Sequence, residues 1–317
     1  MSFRHSVRSL VVACGILFAL SSVRCAFAAQ PVLLVPPGPL ILATVGISRG
    51  SDLRIEVWKT QEEAVTRLAT GDAAAAVLPV TVGAALSAKA DIVLLGAFRE
   101  NVFSLVVRDG AGWENLRGRE ILVAQGRGTV LDSILRSVLS SYGLKPGRDV
   151  TLIYAPAPEA VALFHRGKAA IVALPEPFAS LALENGGRSL DPQEAWGRLT
   201  GASARFPVGG VFALRSALRD NPGHASLVTN AIAASTAWFA EHPDQACDLA
   251  GQAFGMPSDR FRKALPRIHI SFDSTEACSS DVMSLLARLY ETLSPDMTPP
   301  PAASFYLSGS GGTSANP

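Results

Sequence analysis

The chain has 317 residues, with 28 lysines and arginines against 27 acids and a formal net charge of +1. That balance excludes the basic field that holds nucleic acid and the polybasic stretch that binds anionic lipid. Roughly 270 residues lie between an unusual beginning and an unusual end, more than one hydrophobic core ordinarily serves, so two lobes are expected.

The first 28 residues read as an export leader. Arg4, His5 and Arg8 form a basic segment, residues 10–20 are apolar, and Ala26-Phe27-Ala28 offers a small-x-small cleavage site before Ala29. The apolar run is shorter than the ~20 residues of a membrane span. Arg24 places a bulky cation before Cys25 where lipoprotein processing wants a small residue. Cleavage removes Arg4, Arg8 and Arg24 and no acid, leaving 25 basic against 27 acidic residues, a formal −2, and an expected periplasmic location. Cys247 and Cys278 then remain, either as one disulfide or as two separate buried thiols.

A strand is predicted over residues 32–35, closed by Pro36-Pro37-Gly38-Pro39, with a short helix over 40–47 and an alternating strand over 53–58. Then comes a motif that returns 96 positions later: Glu63-Ala64-Val65, Gly71-Asp72-Ala73-Ala74 and Leu78-Pro79 answer to Glu159-Ala160-Val161, Gly167-Lys168-Ala169-Ala170 and Leu174-Pro175. Each copy reads as an amphipathic helix stopped by glycine, an apolar strand, and a proline where a new helix begins. Such an echo marks one supersecondary unit used twice, hence two similar lobes and a cleft. Between the copies lie a helix over 80–88, strands over 92–97 and 102–107, a strand over 120–124, a glycine-rich turn at 125–129, a helix over 130–142 and a strand over 150–154. Strand and helix in alternation specify a parallel sheet covered on both faces. After a strand at 211–214 the chain reads as helices only, over 222–241, 243–254, 258–264 and 281–293, and residues 298–317, rich in Pro, Gly and Ser, read as disordered.

Ligands of open α/β sheets sit beyond the carboxyl ends of the strands, where helices begin. Four turns qualify. They hold Gly38 and Pro39; Pro79, Val80 and Thr81; Gly126, Arg127, Gly128 and Thr129; and Glu176 with Phe178. Arg127 is either a fork for an anion or a solvated turn residue, and Thr129 either caps its helix or donates to an anion. Glu176 either accepts from a ligand donor or cation, or complements a helix dipole. The turn lacks the third glycine of a dinucleotide fingerprint and the lysine of a phosphate loop, and no histidine or cysteine pair has metal-ligand spacing. Trp58 ends a strand near the site, although tryptophan is more often core.

The order of leader, Gly38-Pro39, Leu68-Ala69-Thr70-Gly71-Asp72-Ala73-Ala74, Trp113-Glu114-Asn115-Leu116-Arg117-Gly118-Arg119, Gly143-Leu144, Pro175-Glu176-Pro177-Phe178, Asp220-Asn221-Pro222 and Glu241-His242-Pro243 resembles the solute-binding proteins of ATP-binding-cassette importers, in the nitrate, sulfonate and taurine branch with its thiamine-precursor-binding relatives. The resemblance implies a two-lobed type II periplasmic-binding-protein fold. Residues 29–102 and 206–297 would form one lobe and 103–205 the other, with crossings near 99–103 and 203–208. It further implies a monomer without cofactor or metal, a small organic molecule or anion as ligand, and an inner-membrane permease with its ATPase as partner. Ser48-Arg49-Gly50-Ser51-Asp52 replaces the acidic and aromatic residues of that branch, and its tryptophan near Pro175-Glu176-Pro177-Phe178 is missing. Menaquinone-pathway dehydratases and pyrimidine synthases share the scaffold, so an enzyme is the alternative; a ligand-sensing adaptor is another.

Overall fold

Among the strands that bury nearly every residue, because helices cover both faces of their sheets, are β1 (Val32–Val35), β3 (Ala75–Pro79), β5 (Phe103–Val107) and β8 (Ile171–Pro175). By contrast β2 (Arg54–Val57) and β7 (Thr151–Tyr154) are half exposed and lie at sheet edges. The computed structural model describes residues 30–293, 297 and 299–307. The expected leader, residues 1–28, lies outside them.

The remaining strands are β4 (Ile92–Asn101), β6 (Glu120–Val123), β9 (Arg188–Leu190), β10 (Phe206–Leu214) and β11 (His269–Ser274). One sheet runs β11-β4-β10-β3-β1-β2 and the other β7-β6-β8-β5-β9. Five positions correspond: β2-β1-β3-β10-β4 in the first match β7-β6-β8-β5-β9 in the second, with parallel pairs around β1 and β6 and antiparallel pairs around β10 and β5. The sequence echo is therefore a structural one. Crossing explains the two reversed strands. A strand that enters a lobe from the edge where its neighbours end must run against them, as β5 does after β4 and as β10 does on the return.

The helices are α1 (Leu40–Thr44, extended by a 3-10 turn at Val45–Arg49), α2 (Gln61–Ala69), α3 (Val80–Ser87), α4 (Val130–Ser141), α5 (Ala157–His165), α6 (Phe178–Leu183), α7 (Pro192–Thr200), α8 (Arg215–Asp220), α9 (His224–Glu241), α10 (Pro243–Phe254), α11 (Ser258–Ala264) and α12 (Thr275–Leu293). In the echo, α2 begins on a capping box in which Thr60 Oγ1 accepts from Glu63 N and the Glu63 carboxylate accepts from Lys59 N. Its end and that of α5 turn on Gly71 at φ 79° and Gly167 at φ 68°, left-handed positions that a Cβ would strain.

Three features depart from the sequence expectation. The last third is not helical throughout, since β11 adds an antiparallel edge strand on β4; its alternating half-buried side chains make too short a run to stand out between helices. Strand β9 and helix α7 are additional elements, although Asp191 caps α7 by accepting from Gln193 N and Glu194 N, with Pro192 at the first turn. Part of the tail is ordered: Phe305 packs on Phe212, and Leu307 N donates to Leu94 O. Residues 308–317 lie outside the described ones. Cys247 and Cys278 are separate buried thiols, which decides the disulfide alternative.

Candidate functional site

Register brings the predicted turns to the crossing. Pro79 stands opposite Gly209, which stands opposite Phe98 of β4, while Phe206 stands opposite Glu100. In the other sheet Pro175 stands opposite Phe103, and Glu176 N donates to Val102 O at 2.9 Å. Pro79 and Pro175 thus lie on the same edge of their sheets, the edge at which β4 leaves one lobe and β5 enters the other.

Gln193, fully buried at the start of α7, holds this seam. Its Oε1 accepts from Val102 N (2.9 Å) and Phe103 N (3.2 Å), and its Nε2 donates to Glu100 O (2.7 Å) and Ala204 O (3.2 Å). Both crossing segments therefore hang on one amide. No sequence motif flags it; the Asp191-Pro192 cap is the signal available.

The four turns differ in what they offer. Gly38 is buried, and nothing lies within 4 Å of where a Cβ would stand, so the backbone there meets open space. Pro39 precedes α1 and Val80 is fully buried. Thr81, only 6% exposed, has a hydroxyl with no hydrogen-bond partner. In the glycine-rich turn Gly126, Arg127 and Gly128 are at least partly exposed, whereas Thr129 is buried and donates its hydroxyl to Gly126 O at 2.8 Å. Thr129 neither caps α4 with its side chain nor has a free proton for an anion. Asp132 instead ties the turn to the helix, accepting from Gly128 N (2.8 Å), Arg136 Nε (2.8 Å) and Tyr154 Oη (2.6 Å). Burial and the Asp132 hydrogen bond push the Tyr154 phenol above its usual range.

Glu176 is 1% exposed. Its Oε2 accepts from Ser180 N at 3.0 Å, so it does complement the start of α6, but its Oε1 has no hydrogen bond and Arg267 comes only to 4.0 Å. Burial raises its pKa, opposed by the Ser180 bonds and Arg267. Phe178 is packed edge-on against Phe254 with centroids 6.3 Å apart, and Phe254 in turn meets Phe261. It joins the lobes rather than presenting a free apolar face. Trp58 is held against the core, its Nε1 donating to Val77 O at 3.3 Å. Beside Phe178, Arg260 and Lys263 of α11 bridge to Glu184 just past α6, at 2.7 and 3.0 Å.

Glu100, at the end of β4, belongs to none of the predicted turns. It is 3% exposed, its Oε2 has no partner, and burial pushes its pKa up to about 8. Neighbouring Arg99 does not serve it, being engaged with Asp273 and Asp281. A cavity of about 240 Å³ lies beside the crossing, lined by Arg99, Trp196, Ser203, Phe206 and Arg288, and one of about 390 Å³ lies between α3 and residues 299–305; neither is lined by the four turns. Among the described residues no cluster of His, Cys, Asp and Glu could hold a metal, and no helix is long and apolar enough to cross a membrane.

The profile of the NMT1-like family matches residues 41–252. No curated protein matches the sequence. Among solved structures, an ABC transporter protein of Parabacteroides distasonis is 21% identical with a TM-score of 0.70, covering 88% of this chain and 99% of its own. The periplasmic aliphatic sulphonate binding protein SsuA of Escherichia coli is 17% identical with a TM-score of 0.66 over 84% and 94%. The alkanesulfonate-binding SsuA of Xanthomonas axonopodis pv. citri, bound to MOPS, is 17% identical with a TM-score of 0.65 over 86% and 97%. At these identities the likeness establishes the fold, that of two-lobed type II periplasmic binding proteins.

Proposed function

The chain belongs to the NMT1-like family, and on that premise we propose that it is an exported solute-binding protein that takes a small molecule between its lobes and delivers it to an ABC importer. The observation that carries the reading is the shared five-strand order of the two sheets, which sets the carboxyl ends of β3 and β8 at one seam. Backbone at such ends is where open sheets receive ligands. Closure couples to binding because a solute touching both lobes stabilises only the arrangement in which both reach it. The buried Gln193 supplies the pivot, and the solvent-exposed bridges from Glu184 to Arg260 and Lys263 supply a contact that motion can make and break. Thr81, Arg127 and Glu176 remain the proposed ligand contacts of the predicted turns, and Phe178 acts through packing.

The test is a thermal-shift screen of the mature chain against sulfonates, nitrate, amines, pyrimidines, flavins and amino acids, followed by mass analysis of any hit after long incubation. A ligand that binds only the folded state raises the melting temperature. Recovery of the hit unchanged is expected; its conversion to product would establish the enzyme alternative.

A further inference from the structure

We propose that the seam is an acidic receptor, with Glu100 and Glu176 receiving a small organic cation that carries N–H donors, such as a protonated amine or an amidinium group. This rests on the solute-binding reading above and names the charge of its ligand.

The two glutamates lie on backbone segments that meet at the crossing. Glu176 N is bonded to Val102 O, and Glu100 lies two residues before Val102 in the same crossing segment. Two extended residues plus one cross-strand step place their Cα atoms at most about 12 Å apart. Each side chain is at least nine-tenths buried and keeps one oxygen without a hydrogen bond. A buried carboxyl oxygen left without a hydrogen bond forfeits its hydration with nothing in return, so two of them at one seam indicate a missing donor. Thr81 adds an independent third atom. Pro79 and Phe98 are level, one strand apart through Gly209, and Thr81 and Glu100 each lie two residues beyond that level. Two strand spacings put Pro79 and Phe98 about 10 Å apart; Thr81 follows in the first turn of α3, and its hydroxyl is likewise buried and unpartnered.

The same rim disfavours an anion. Asp132 accepts from Gly128 N at the start of α4, and Glu176 accepts from Ser180 N in α6. The chain's own carboxylates already occupy amides that an anion would seek. Besides Arg127 on its exposed turn, Arg267, 45% exposed, forms a long ion pair with Glu176 Oε1 at 4.0 Å without a hydrogen bond. A ligand N–H could take that oxygen without displacing an existing bond. Without a cation, burial keeps Glu100 protonated at neutral pH; a bound cation would ionise it, with release of a proton to solvent.

Calorimetry on the mature chain with agmatine, benzamidine and tyramine, against ethanesulfonate and nitrate, tests this. Binding of at least one cation is expected, with different apparent heats in buffers of different ionisation enthalpy because a proton is released. Glu100→Gln and Glu176→Gln should each weaken it at least tenfold while circular dichroism and an undiminished apo melting temperature report an intact fold. An anion that binds equally well to wild type and to both variants would overturn the charge assignment and leave the solute-binding reading standing. So would cation binding indifferent to both substitutions. Failure of every compound, including those of the wider screen above, would overturn both.

Discussion

Glu100→Gln should change how stability depends on pH. In the unfolded chain this carboxyl titrates near its ordinary 4.5, whereas in the folded chain burial holds the proton up to about 8. Between those values the folded state binds a proton that the unfolded state has released, so stability is fully present below pH 4.5 and falls as pH rises toward 8. At about 1.4 kcal/mol per pH unit, the loss from this one group is about 3 kcal/mol by pH 7 and about 5 kcal/mol by pH 8. Glutamine keeps the shape and has no proton to lose. Urea unfolding of both proteins at half-unit steps from about pH 4.5 to 8.5 measures the difference directly, and Glu176, shifted in the same direction, cancels because both chains carry it. The variant should gain on wild type progressively across that range. Parallel curves would show that Glu100 is ionised or hydrated in the folded protein, and would refute burial as the force that holds its proton.

Gln193→Leu should destabilise the chain by at least about 3 kcal/mol, since it strands Val102 N, Phe103 N and Glu100 O without partners; hydrogen exchange should quicken at residues 102–103, and unchanged protection there would count against the clamp. Glu184→Ala removes two exposed ion pairs, so unfolding free energy should move by less than about 1 kcal/mol, while small-angle scattering should show a larger radius in the apo protein if the bridge helps hold the lobes together. Gly71→Ala should cost about 1 kcal/mol because the left-handed φ of 79° disfavours a Cβ, and a neutral result by thermal unfolding would contradict the cap geometry. Amino-terminal sequencing of the exported protein should return Ala29; an intact Met1 would refute cleavage.

Much of the architecture was legible in the residues. Continuous apolar runs at β1, β3 and β8 are what a sheet covered on both faces requires, and the glycines at 71 and 167 stop their helices as the echo predicts. The Pro79 and Pro175 turns, read as equivalent positions, do lie on equivalent strands. Less of the site could be read. Thr129 has the residue type of a cap, yet Asp132, three positions on, takes the amide, because the choice between two nearby acceptors is made by the conformation of the turn. Phe178 has the look of a ligand platform until α10 arrives from far along the chain to cover it.

What sequence determined, then, is everything set by local periodicity: two repeated strand and helix units, their stops, and the turns at their ends. Only the tertiary structure decided which side chains would lack partners. Glu100 sits next to Arg99 in sequence, but successive strand residues point to opposite faces, so the arginine pairs with Asp273 and Asp281 while the glutamate is buried without it. Gln193 matters because two crossings separated by about a hundred residues come within reach of one amide. Charge at the seam is thus a property of long-range packing, which residue order constrains without displaying.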